Sequence, residues 1–372
     1  MSKLNLKIIT IIGARPQFIK AATISRAINS INPNNNNICE KILLTGQHYD
    51  KNMCEDFFKE LKMPDPHFNL NINGGSHGSN TGRMIDSIEK ILLIEKPNGV
   101  LLYGDTNSTL AGAIAATKLN IPIFHIEAGL RSFNRKQPEE KNRILTDHIS
   151  DICFTPTYLA FKNLVNEGIN KKRIIFSGDV MFDAVKIFEF NQDKSGILKS
   201  LKLQNKDFIL ATIHREENTE NLDNLINIFT SLGKIKLPVV LVLHPRTKAK
   251  IKNHNLCYLL EPLKVLSPLG YYDINFLEKR ANIIITDSGG LQKEAFFHGT
   301  PCVTVRNETE WKELTKCGWN KMADPSNQLK ILKSVEEQLI FNKNKIRPNY
   351  YGDGNAAEKI VAHILDFYKK YY

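Results

Sequence analysis

The sequence predicts an α/β protein built from two doubly wound parallel-sheet domains. Two observations carry this. Short, continuously apolar strand-like runs alternate with helical patterns along the 372 residues, which is the signature of parallel strands covered on both faces. The alternation pauses in the polar stretch FDAVKIFEFNQDKSGILKSLKLQNKD, up to residue 207, and then resumes, which places a domain boundary there. A chain that is 42% hydrophobic and 24% charged can fill two cores and is not disordered.

The elements follow in order. LKIITII (6–12) reads as a strand, and the helix QFIKAATISRAIN follows it, starting at Pro16, whose fixed φ suits a first turn. KILLT (41–45) precedes a helical GQHYDKNMCEDFFKEL, after a surface loop at NPNNNN (32–37). NGVLLY (98–103) precedes the Ala-rich helix TNSTLAGAIAATKLN, and IPIFHI (121–126) follows that helix. In the second half DFILATI, PVVLVL, ANIIIT and PCVTV are strands, each with a loop and usually a helix behind it. GNAAEKIVAHILDFYKK, roughly 354–370, carries a helical apolar stripe.

Several classes are excluded. No apolar run reaches the length of a membrane span. The N-terminal MSKLNLKIITIIGARP has no small-residue cleavage site and is not read as a signal peptide. Cys39, Cys54, Cys153, Cys257, Cys302 and Cys317 are scattered, without C-x-x-C or a nearby His pair. They read as reduced core thiols of a cytoplasmic protein, with no zinc site and no disulfide framework. The net charge of +11 is spread over short groups such as NKKR (170–173) and RTKAKIK (246–252). Without a basic helix interleaved with aromatics, this is a solvated basic surface and predicts no nucleic-acid or membrane partner.

In doubly wound domains ligands bind beyond the carboxyl ends of the strands. Here those ends read GARPQFIK, GDTNST, EAGLRS, HREEN, HPRT and DSGGLQKEA, which together predict a polar cleft between two domains. In DSGGLQKEA, Ser288, Gly289 and Gly290 open a helix whose N–H groups can bind a phosphate, or Ser288 simply caps the helix. Glu294, about one turn in, can reach sugar hydroxyls. Arg15 and Lys20 flank a helix start and either hold a diphosphate or are simply solvated there, though an Arg is electrostatically disfavoured at a helix N-terminus and so needs a reason. Asp105 is either an N-cap or a functional carboxylate. IPIFHIEAGLRS (121–132) puts Ile121, Ile123, His125 and Glu127 on one parity, so a strand face ends in His-x-Glu. QPEEKNR offers Glu139, Glu140 and Arg143, equally readable as a solvated helix start. His214 opens HREEN. There is no dinucleotide fingerprint, no Walker A loop, no nucleophilic Ser elbow at a strand end and no metal-ligand spacing. Carboxylates, histidines, two cations and a Gly-Gly helix start suit proton transfer on an anionic, phosphorylated substrate.

The chain resembles the non-hydrolysing UDP-N-acetylglucosamine 2-epimerases, nearly end to end. The resemblance rests on IIGARPQFIKAA, TGQHYDKNM, YGDTNSTLAGAIAA, HIEAGLRSFNRKQPEEKNRILTDHISD, GDVMFDA, ATIHREEN, ITDSGGLQKEAFFHGTPCVTVRNETEW and YGDGNAAEKI. GGSHGSNTGRM, PCVTVRNETEW and KCGWN are most similar to a branch acting on UDP-2,3-diacetamido-2,3-dideoxy-glucuronic acid. The other branch usually has R-D-T-T-E-R-P-E where this chain has Arg306-Asn307-Glu308-Thr309-Glu310-Trp311. The resemblance implies a GT-B-like fold of two Rossmann-like domains facing a central cleft, residues 1–185 and 186–353, with the helix at 354–372 packing back on the first. It implies a homodimer that needs no cofactor and no metal, epimerises C2 of a UDP-sugar and serves bacterial surface polysaccharide synthesis. Position by position it assigns Asp105, Glu127 and Glu139 as acid/base groups, with His214 beside the leaving diphosphate. Arg15, Lys20 and Arg143 become substrate-binding cations, Ser288, Gly289 and Gly290 the diphosphate loop, and Glu294 the ribose contact. His125 is expected to support or hydrogen-bond the site rather than react. Gln47 and His48 match the family's allosteric pocket, but Tyr49-Asp50 departs from it, so that regulation is not expected. A hydrolysing 2-epimerase and a GT-B glycosyltransferase are the alternatives, separated from this reading by the identity of the product.

Overall fold

The computed structural model describes residues 5–31, 37–46, 58–189, 193, 196–341 and 344–371. The expected loop at 32–37 and the expected helix GQHYDKNMCEDFFKEL lie largely outside those residues, as do Gln47, His48 and Cys54. The chain divides into two compact units, Met1–Ile187 with Asn349–Tyr372, and Phe188–Pro348.

The first unit holds β1 (Asn5–Ile12), α1 (Arg15–Ile31), β2 (Asn37–Leu44), β3 (Phe68–Asn69), α2 (His77–Glu95), β4 (Gly99–Tyr103), α3 (Asn107–Lys118), β5 (Ile123–Ile126), α4 (Pro138–Ile149), β6 (Ile152–Thr155), α5 (Tyr158–Asn166), β7 (Ile174–Phe176) and α6 (Val180–Ile187). Its seven strands are parallel, in the order β3-β2-β1-β4-β5-β6-β7. Both faces of the central strands are buried, which is why β1, β4 and β5 read as predominantly apolar runs. Ile9, Ile11, Val100 and Leu102 pack on Met84, Ile88 and Leu92 of α2.

The second unit holds α7 (Ile197–Leu201), β8 (Ile209–Thr212), α8 (Glu216–Thr219), α9 (Leu222–Lys234), β9 (Val239–Val242), α10 (Pro245–Asn253), β10 (Lys264–Leu266), α11 (Tyr271–Arg280), β11 (Ile283–Thr286), α12 (Gly289–His298), β12 (Cys302–Val305), α13 (Lys312–Lys316), β13 (Asn320–Ala323) and α14 (Gln328–Leu339). Its parallel sheet runs β10-β9-β8-β11-β12-β13. In each sheet the strand order reverses beside the first strand, between β1 and β4 and between β8 and β11. These switch points are where doubly wound folds bind ligands.

α15 (Ala356–Tyr371) belongs to the first unit and lies against α1 and α6. Tyr368 Oη donates to Asn98 O at 2.5 Å, and Phe367 meets Phe124 edge-on at 5.4 Å. Asp183 of α6 accepts the Ala357 N–H at 2.7 Å and so serves the open N-terminus of α15. Burial pushes the Asp183 carboxyl up to about 6, against the Ala357 and Ala356 N–H groups that lower it. A carboxyl raised from 3.8 to about 6 on folding holds its proton more tightly in the native state. Stability therefore falls as pH rises from about 4 to about 6, by at most about 3 kcal/mol at about 1.4 kcal/mol per pH unit. Asp183→Asn keeps the acceptor and removes the titration, so urea midpoints of the variant are expected to flatten across that window.

Three expectations need correcting. α1 begins at Arg15, one residue before Pro16. Cys39 and Cys257 are exposed, while Cys153, Cys302 and Cys317 are buried thiols. Cys39 lies on β2, and Cys257 sits in a short 3-10 turn rather than in a core strand. Glu127 does not continue the β5 face. The strand ends at Ile126, and Glu127 turns into the left-handed region at φ 69°.

Candidate functional site

In the first unit the ends of β1, β4 and β5 come together. Gln17, buried in the first turns of α1, accepts the Gly13 and Ala14 N–H groups at 2.8 and 3.0 Å. Its Nε2 donates to Tyr103 O at 2.7 Å and Thr109 Oγ1 at 3.0 Å. A side-chain amide both accepts and donates, so this one residue ties the two loops that flank the switch point.

Gly104 follows β4 at φ 64°. A Cβ there would lie 3.1 Å from Glu127 Oε2 and 3.5 Å from Lys20 Nζ. The bare backbone thus leaves room for the ion pair that Lys20 makes with Glu127. A glutamate held at φ 69° costs about 1–3 kcal/mol of local strain, a cost that concentrates at functional positions.

Asp105 is not the cap of α3. Thr106 occupies that position, its hydroxyl accepting from Thr109 N. The hydroxyl frees the Asp105 carboxylate to pair with Arg143 of α4. Arg143 Nη1 also reaches Glu140 at 2.9 Å. Glu140 is buried and accepts the Ser132 and Phe133 N–H groups at 2.9 and 2.8 Å. Burial works to raise its carboxyl, but those bonds and Arg143 outweigh it and leave it below the usual range. Glu139, the neighbouring candidate, is exposed. Lys20, Asp105, Glu127 and Arg143 are therefore brought together, and Glu139 stands at their margin.

A chain that is buried from His125 through Asp147 to Arg131 braces this group. His125 Nε2 lies 2.7 Å from Gly104 O and its Nδ1 2.7 Å from Asp147 Oδ1. Asp147 also takes Arg131 at 2.7 Å and the Gly129 N–H at 3.1 Å. Arg131 in turn forks onto both oxygens of Glu167. His125 thus fixes the carbonyl just before Asp105, while Asp147 and Arg131 fix the turn after Glu127.

In the second unit the ends of β8 and β11 meet. Asp287 is buried and accepts the backbone N–H groups of His214 (3.0 Å) and Arg215 (3.0 Å) and Asn218 Nδ2 (3.0 Å). Sequence reasoning quoted Asp287 but gave it no role. It sets the loop that carries His214, whose ring lies 5.6 Å from that of His244. Ser288 stands at the N-cap of α12, yet its hydroxyl makes no capping bond. No acidic residue occupies the first turn. A Cβ at Gly289 or Gly290 would meet nothing nearer than 3.8 Å. This helix start is open and electropositive, suited to an anion. Glu294, nearly buried, turns its Oε2 back toward Gly290.

The segment from Arg306 to Trp311 is bolted onto α12. Thr309 Oγ1 donates to Gln292 Oε1 at 2.8 Å, Arg306 pairs with Glu310 at 3.1 Å, and Lys293 Nζ sits 4.2 Å over the Trp311 ring. Arg15 lies half-buried at the start of α1.

Two parallel sheets, each with an anion-ready or acid/base loop group at its switch point, frame the comparison with known proteins. A family model described as UDP-N-acetylglucosamine 2-epimerase matches residues 31–365. The chain belongs to the UDP-N-acetylglucosamine 2-epimerase family. A Methanococcus maripaludis protein named as a UDP-N-acetylglucosamine 2-epimerase homolog is 51% identical, over 96% of this chain and 98% of its own. A Pseudomonas aeruginosa UDP-2,3-diacetamido-2,3-dideoxy-D-glucuronate 2-epimerase is 48% identical, over 96% of this chain and 99% of its own. The Methanocaldococcus jannaschii UDP-GlcNAc 2-epimerase, solved in complex with UDP-GlcNAc and UDP, superposes with a TM-score of 0.87 at 42% identity, covering 98% of this chain and 100% of that one. By family the protein is an isomerase, with the GT-B-like pair of Rossmann-like domains. No helix among the described residues is long and apolar enough to cross a membrane.

Proposed function

We propose that the protein inverts C2 of a UDP-linked 2-acetamido sugar by eliminating and re-adding UDP. The observation that carries the reading is the pair of cation-held carboxylates, Glu127 with Lys20 beside Gly104 and Asp105 with Arg143 on the residue that follows it. The C2–H of such a sugar is not next to a carbonyl and is not acidic. It can leave only as the anomeric C–O bond breaks. A carboxylate takes the C2 proton, the C–H electrons form the C1–C2 double bond, and the C1–O electrons depart on UDP. UDP then re-adds at C1, and a proton reaches C2 from the opposite face. Two faces need two acid/base groups, and Asp105, Glu127 and Glu139 are the candidates.

The departing diphosphate needs preorganised donors. In this reading they are the N–H groups of Gly289 and Gly290 with Ser288, assisted by Arg15, Lys20 and His214, while Glu294 takes the ribose hydroxyls. The substrate is UDP-2,3-diacetamido-2,3-dideoxy-glucuronate, which yields its manno epimer. Support comes from the 48% identical relative named for that sugar, against 42% and 44% for relatives named outright for UDP-N-acetylglucosamine; the 51% identical relative is named only as a homolog of the latter enzyme.

The test is positional isotope exchange with oxygen-18 in the bridge between C1 and the β-phosphorus. Elimination frees that oxygen to rotate, so label is expected to spread into the non-bridging β-phosphate positions. Epimer formed with the label still in the bridge would refute C–O cleavage.

A further inference from the structure

The stretch GGSHGSNTGRM (74–84) lies outside the acid/base and diphosphate groups. It forms the loop into α2 and that helix's first turns. Ser76 caps the helix, and Arg83 Nη2 pins the loop through Asn73 O (3.1 Å) and Gly74 O (2.7 Å). His77 is exposed, with Nδ1 3.0 Å from Asn107 Nδ2. Asn107, buried at the start of α3, takes Asn142 Nδ2 on its Oδ1 at 3.2 Å. The same Asn142 Nδ2 donates to Asp105 O at 2.9 Å.

These bonds run in one direction. Asn107 has its oxygen occupied by a donor, so its NH2 faces His77. His77 Nδ1 must accept, and the ring proton sits on Nε2. The imidazole therefore presents a fixed N–H at the surface, tied by a short chain to the backbone of Asp105. Its surroundings suit an anion. The first turn of α2 has no acidic residue, the helix N-terminus favours negative charge, and open space lies where a Cβ at Gly74 or Gly78 would stand.

We propose that His77 is a specificity-determining residue whose Nε2–H binds the C6 carboxylate of a UDP-linked uronate. It would thereby favour that substrate over UDP-N-acetylglucosamine, which carries a neutral hydroxymethyl group at C6. The inference rests on the epimerase reading with a uronate substrate.

The test compares kcat/KM on the two nucleotide sugars for the wild type, His77→Leu and His77→Gln. The ratio of uronate to UDP-N-acetylglucosamine is expected to fall about tenfold to hundredfold in His77→Leu, chiefly through KM, as loss of a charge-assisted hydrogen bond requires. His77→Gln, which can still donate, is expected to recover part of it. Equal losses on both substrates would mean that His77 only holds Asn107, and would overturn the inference, as would no loss on the uronate. If the wild type epimerises UDP-N-acetylglucosamine alone, the uronate substrate and this inference fall together while epimerisation stands. If it epimerises neither, the proposed function itself has failed.

Discussion

Replacing Glu127 with glutamine is expected to lower kcat for epimerisation by about 10²–10⁴-fold, the usual worth of a positioned acid/base group. Glutamine keeps the size and hydrogen-bonding oxygen of the side chain but cannot take a proton from carbon. The carboxylate is well prepared for that step. The left-handed turn at Glu127 aims it back over Gly104, and Lys20, itself nearly buried, holds it. The variant loses a charge-assisted bond to Lys20, at a cost of about 1–2 kcal/mol, so it is expected to fold and to keep its affinity for UDP. Circular dichroism and a UDP titration check both. A variant within tenfold of wild-type turnover would remove Glu127 from the chemistry.

The largest stability effect is expected at Asp147. It carries no assigned chemistry, but it is fully buried and joins His125, Arg131 and the Gly129 N–H. Asp147→Ala leaves a buried guanidinium and imidazole without their shared partner, which is expected to destabilise the protein by about 3–5 kcal/mol, read as a lower urea midpoint. Burial raises this carboxyl, but the His125 bond and the Arg131 charge more than offset it and hold it below the usual range. A carboxyl depressed on folding contributes stability above its unfolded pKa, near 3.8, and loses it as pH falls through the folded value. The wild type is therefore expected to lose this contribution in acid, where Asp147→Ala has none to lose. A variant as stable as the wild type would show that the chain of charges is not what fixes the strand ends.

Much of the architecture was legible because burial on both faces leaves a local trace. β1, β4, β5, β8, β9, β11 and β12 are predominantly apolar runs, and strand–helix alternation gave the doubly wound class. The outer strands left less. β13 reads NKMA, with an exposed lysine, and β7 and β10 have three residues each. Such strands are specified by the neighbours they pair with rather than by their own pattern.

The same distinction holds at the site. Residue types at strand ends pointed to Asp105, Glu127, His214 and the Gly-Gly helix start. The supporting bonds were not legible, since they join residues far apart in sequence. Gln17 meets Tyr103 across 86 residues, and Asp287 meets His214 across 73. The two readings of Asp105, N-cap or functional carboxylate, were not separable locally, because either Asp105 or Thr106 can cap and the hydroxyl did. In QPEEKNR the two glutamates were indistinguishable in sequence. α4 buries Glu140 against Ser132, Phe133 and Arg143 and turns Glu139 outward.

The central claim is that hydrogen leaves and returns at C2 while the sugar remains a UDP conjugate. Proton NMR in D2O tests it most directly, with UDP-2,3-diacetamido-2,3-dideoxy-glucuronate and UDP-N-acetylglucosamine offered separately. The account predicts a UDP-linked manno epimer of the diacetamido uronate with deuterium at C2. Neither sugar gaining deuterium at C2, with UDP released only when an acceptor is supplied, would contradict it.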